Sequence, residues 1–117
     1  GVARFAFADL CERPLGAPDY LALAKAYHTV ILSDVPLLPA ARRNEAKRLV
    51  TLVDALYEHR VNMVVSAAAE PDLLCTEGDS AAAFERTASR LIEMQSEDYI
   101  RTPHGSAGEV AGQKTTP

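Results

Sequence analysis

Apolar and polar positions alternate over ARFAFADL, Ala3–Leu10, with Phe5 and Phe7 on one side and Arg4 on the other, which predicts a half-buried strand. The turn-rich ERPLGAPDY follows. Pro18 and Asp19 suit a first helical turn, where proline loses no hydrogen bond and an acid meets the positive end of the helix dipole. Tyr20, Leu23, Ala24 and Tyr27 recur at i, i+3, i+4 and i+7, so a helix with one apolar stripe is expected. Thr29–Leu32 is short, β-branched and apolar on both alternating faces, the pattern of a strand covered on two sides, and Pro36 and Pro39 end it.

From Arg42 to His59, Ala46, Leu49, Val50, Val53, Leu56 and Tyr57 share one helical face, while Lys47, Thr51, Asp54 and Glu58 lie opposite. Val61–Val65 is a second doubly apolar strand, so Thr29–Ala67 spells strand, helix, strand, a parallel right-handed crossover. Glu70–Ser80, broken by Pro71 and Gly78, reads as a loop with one helical turn at Pro71–Leu74. A last helix is expected over AAAFERTASRLIEMQS, with Phe84, Ala88, Leu91 and Ile92 buried and Arg86, Arg90 and Glu93 projecting from the other side. The residues after Arg101 are small and polar without period, as in a disordered tail. The expected organisation is one α/β region, residues 1–101, with a small, mainly parallel sheet and packed helices, then a tail over 102–117. Three or four strands leave at least one exposed edge, so such a region on its own is expected to be marginal or prone to associate.

Composition narrows the function. The chain has 117 residues, 48% of them hydrophobic, enough for one domain with a core. A net charge of -4 and a pI near 5.3 disfavour nucleic acid as a partner. Cys11 and Cys75 are too few for a disulfide framework, and no apolar run approaches the roughly 20 residues that cross a bilayer. The chain opens on Gly1 without an initiator methionine, so a piece of a longer protein is expected.

Ligands of open parallel sheets gather beyond the carboxyl ends of the strands, where Asp34 and Ser66 are expected. Asp34 ends an apolar strand, the position of a magnesium ligand in a P-loop ATPase, yet Val35 and Pro36 follow it instead of a second acid. The competing reading is a turn-capping aspartate. No GxxxxGK[ST] loop occurs, so the amides, lysine and hydroxyl that cradle a triphosphate are missing from these residues. Arg86 and Arg90, one helical turn apart, form a like-charge pair that costs roughly 0.2–0.5 kcal/mol unless something offsets it. One reading pairs Arg90 with Glu93; the other has the two guanidinium groups reach a phosphate or carboxylate on a neighbouring subunit, as arginine fingers do. His28, His59 and His104 share no face and neither cysteine belongs to a CxxC pair, so no metal site is expected. Ser33, Ser66 and Ser89 lack the GxSxG context of a serine hydrolase.

The segments RFAFADLCERPLGAPDYLALAKAYHTVILSDVPLL, RNEAKRLVTLVDALYEHRVNMVVSA and FERTASRLIEMQSEDYI together resemble the C-terminal region of the ZapE and mitochondrial AFG-like ATPases, over Ala3 to about Arg101. Members of that family are AAA-type P-loop ATPases whose phosphate- and magnesium-binding motifs come earlier in the chain. The resemblance implies that ATP and magnesium belong to the parent protein, that this segment alone binds neither, and that Asp34 is structural. It also implies the rest of the ATPase chain as a partner, with a homo-oligomer and a division-ring or client protein as further partners. The implied location is cytoplasmic in a bacterium and mitochondrial in a eukaryote. No residue here matches a nucleotide motif of the family, so Arg86 and Arg90 rest on their helical placement alone. The alternative is a stand-alone, non-catalytic protein-interaction module.

Overall fold

A computed structural model describes residues 1–95; the expected tail and the far end of the 1–101 region lie outside the described residues. The order is β1 (Val2–Ala6), α1 (Phe7–Cys11), α2 (Ala17–Ala26), β2 (Thr29–Val35), a 3-10 turn (Ala40–Arg42), α3 (Arg43–Glu58), β3 (Asn62–Ala67), a 3-10 turn (Pro71–Leu73) and α4 (Ala81–Glu93).

The first strand is shorter than its alternation suggests. The chain turns helical at Phe7 because Asp9, in the first turn of α1, accepts a hydrogen bond from the Ala6 amide at 3.1 Å. Phe7 therefore reaches the core from a helix. Asp19 plays the same part in α2, accepting from the Gly16 amide at 2.9 Å with Pro18 in the first turn, as expected.

The three strands form one parallel sheet in the order β1-β2-β3, with Phe5 opposite Leu32 and Val30 opposite Met63. Successive right-handed crossovers between adjacent strands place every connecting helix on the same face. That face carries Ala3, Val30, Leu32 and Met63, all buried in one core with Leu49, Leu52, Val53 and Leu56 of α3. Among the described residues nothing covers the other face, contrary to the expectation for β2 and β3: Ile31 is only partly buried, Val64 is 54% exposed and Val2 57%. Apolar residues on both faces of a strand report that both are suited to burial, while topology decides which one these residues bury.

α3 packs against both α2 and α4. Its expected stripe is buried, Tyr57 only in part, and Leu52, outside that stripe, is fully buried as well. On α4 the buried arc runs through Phe84, Thr87, Ala88 and Leu91 and continues to Met94, whereas Ile92, expected inside, is 56% exposed. The loop before α4 lies close to the turn at Ala40. Gly78 permits this approach, with φ +86° and with the position of a Cβ only 2.9 Å from the Ala40 Cα.

Beneath α1 and α2, the Tyr20 hydroxyl donates to the Leu10 carbonyl at 2.6 Å, and Arg48 Nη1 donates to the Cys11 carbonyl at 3.1 Å. Burial pushes the Cys11 thiol up from 9.0 to about 12 and the Tyr20 phenol up from 10.0 to about 12. The folded state thus holds both protons more tightly than the unfolded chain. This contribution is fully present below about pH 9 and is lost as pH rises towards about 12. The urea midpoint should accordingly stay level to about pH 9 and fall above it, with a shallower fall in Tyr20→Phe. An equally steep decline in that variant would remove Tyr20 as a cause.

Candidate functional site

Two places carry the residues singled out by sequence. At the first, α3 and α4 lie side by side and Asp54 faces both arginines of α4. Its Oδ1 accepts from Arg90 Nη1 at 2.5 Å, and its Oδ2 stands 3.6 Å from Arg86 Nη2, a distance at which charges attract without a hydrogen bond. One carboxylate between two guanidinium groups offsets their mutual repulsion and leaves the trio with one excess positive charge.

The two arginines are not equivalent. Arg90 has a side chain 23% exposed, and its guanidinium also lies over the Tyr57 ring, 4.7 Å from the centroid. Arg86 is 58% exposed, and among the described residues the longer contact with Asp54 is what holds it. The expected Arg90–Glu93 pair does not form; Glu93 instead accepts from the Tyr57 hydroxyl at 2.8 Å. Burial, then the hydrogen bond and charge of Glu93, push the Tyr57 phenol up. Tyr57 is thus fixed at its tip by Glu93 and faced by Arg90, so the packing of α4 on α3 holds Arg90 in place.

Beside this trio runs a groove of about 630 Å³, with Pro18 and Leu21 of α2, Ala55 of α3, His59 just past its end, and Arg86 along its walls. Leu21 is 37% exposed there. Periodicity places Asp54 on the polar side of α3, but a single-helix pattern does not say that this side meets α4. The available signal was an acid on one amphipathic helix and a basic i, i+4 pair on the next.

The second place is the carboxyl end of the sheet, where Asp34 and Ser66 come together. The Asp34 amide donates to Ser66 Oγ at 3.1 Å, across a register irregularity between Leu32 and Val35. Asp34 has φ 62°, a left-handed conformation that costs a residue with a Cβ some energy, although aspartate tolerates it better than most. Among the described hydrogen bonds the turn is tied by the Asp34 amide and the Ser66 hydroxyl, not by the carboxylate. Among the described residues no group of three His, Cys, Asp or Glu side chains could hold a metal ion, and no helix is long and apolar enough to cross a membrane.

A parallel α/β unit with an arginine pair on its last described helix, and without a phosphate loop, matches the AFG1-like ATPase signature over residues 1–103. The chain belongs to that family. It is similar to the cell division protein ZapE of Escherichia coli strain K12, with 42% identity over 99 residues covering 84% of this chain and 26% of ZapE. It is also similar to lactation elevated protein 1 homolog B of Danio rerio, with 35% identity over 130 residues covering 84% of this chain and 26% of that protein. The chain therefore spans about a quarter of the length of these curated relatives. No solved structure matches it.

Proposed function

We propose that these residues are the C-terminal α/β portion of a longer AAA-type P-loop ATPase that hydrolyses ATP with magnesium bound elsewhere in the same chain. The family match over residues 1–103 carries the reading, together with the quarter-length coverage of the relatives and the lack of a GxxxxGK[ST] loop here. The name of the bacterial relative supports work in cell division. A cytoplasmic location and a division-ring or client protein as partner belong to the same reading through the family resemblance, not through that name. Mitochondrial placement would follow for a eukaryotic source.

Within this reading, Arg86 is the anion contact and Arg90 the anchored member of the pair, held by Asp54 and Tyr57. An arginine that completes a nucleotide site on an adjacent subunit of a homo-oligomer must be exposed, charged and held loosely enough to change partner. Arg86 meets these conditions, and Asp54 serves as its resident counter-ion until the anion arrives.

Magnesium-dependent ATP turnover by the full-length protein tests the proposal, alongside a thermal-shift titration of the 117-residue chain with magnesium and ATP. Turnover in the first and no shift in the second are expected, because the loop amides and lysine supply most of the attraction for a triphosphate. A full-length protein without turnover would favour a non-catalytic interaction module, and a clear shift in the short chain would overturn the division of labour.

A further inference from the structure

The outer edge of β3 has the character of an interior strand. Asn62 donates its amide to the His28 carbonyl and Ala68 donates to the Val35 carbonyl, so the even-numbered residues of β3 bond towards β2. By the alternation of a parallel strand, the amides and carbonyls of Met63, Val65 and Ala67 point away from the sheet. β3 reads NMVVSA, with no charge and no proline, the devices that normally blunt a free edge. The Gln95 side-chain amide donates to the Met63 carbonyl at 3.3 Å, in the position where a neighbouring strand would donate.

Next to that edge lies a cleft of about 770 Å³, lined by Val64, Val65, Leu74, Leu91 and Ile92. Val64 and Ile92 are more than half exposed. The cleft runs into the open face of the sheet at Val64, where Ile31 stands opposite. Among the described residues, a largely apolar cleft, an unblunted edge and the uncovered face of the sheet are thus continuous on one side of the molecule.

We propose that a strand from a part of the same polypeptide outside these 117 residues adds to β3, displaces Gln95 from the Met63 carbonyl and extends the sheet across this cleft. The inference rests on the reading that the residues belong to a longer ATPase chain, and it names where the rest of that chain docks. The relatives supply the necessary length, since about three quarters of each lies outside the matched region. A second copy fits less well. Two β3 edges joined about a two-fold axis would leave both open faces bare, whereas parallel sheets are covered on both faces, by helices that a longer α/β chain would bring.

Hydrogen exchange on the full-length protein, resolved to single amides, provides the test. The outward amides of Met63, Val65 and Ala67 are expected to exchange more than about 100-fold slower than free peptide, at a rate independent of protein concentration. Free exchange at these three positions, with Val64 and Ser66 still protected by β2, would overturn the proposal. So would protection that grows with concentration, the mark of a second copy. ATP turnover measured on the same sample separates the two readings. An active ATPase with a free β3 edge loses only the added strand, and a protected edge in a protein without turnover loses only the ATPase.

Discussion

Arg86→Ala in the full-length protein is expected to lower ATP turnover by about 10³-fold, within the range that an arginine supplied to a phosphoryl-transfer site contributes. Nucleotide affinity and the thermal midpoint should change little, because Arg86 is 58% exposed and its contact with Asp54 is long. Arg90→Ala provides the contrast. It removes the 2.5 Å bond to Asp54 and the contact over Tyr57, so its main effect should be on stability, about 1–3 kcal/mol, while any turnover loss follows from a displaced α4. Steady-state kinetics and thermal melts of both variants distinguish the roles. Unchanged turnover in Arg86→Ala would reduce it to a surface partner of Asp54.

Leu52→Ala should destabilise the fold by about 2–5 kcal/mol, a large part of the stability of a domain this size. Leu52 is fully buried, and its truncation leaves a cavity in the cluster between α3 and the sheet. Ile92→Ala, at a position that the sequence pattern places in the core, should cost no more than about 0.5 kcal/mol in the 117-residue chain, because Ile92 is 56% exposed there. Urea unfolding of the two variants measures the difference. Equal losses would mean that α4 is rotated about its axis relative to the structure described above.

The reversal at Leu52 and Ile92 shows where periodicity stops being informative. A helical stripe is defined by the surface that meets it, and α3 shares the core with the strands while packing against α1, α2 and α4, so its buried arc is wider than one stripe. α4 meets fewer neighbours and buries less. At β1 the error had another origin: the two-residue alternation through Phe7 matches both a strand and a strand turning into a helix, and only the Asp9 bond to the Ala6 amide selects the second. The arginine pair was legible as a pair, but its counter-ion was not, since Asp54 and Arg90 are brought together from different helices.

Local pattern alone determined α2 with Pro18 in its first turn, the strand, helix, strand order of β2, α3 and β3, the turn marked by Pro71 and the final helix α4, because each depends on neighbours along the chain. Which face of the sheet is bare, which arginine is anchored, and how Ser66 meets the Asp34 amide were decided only by tertiary structure. Those outcomes depend on the direction of the crossovers and on side chains far apart in sequence, and short-range periodicity carries no information about either.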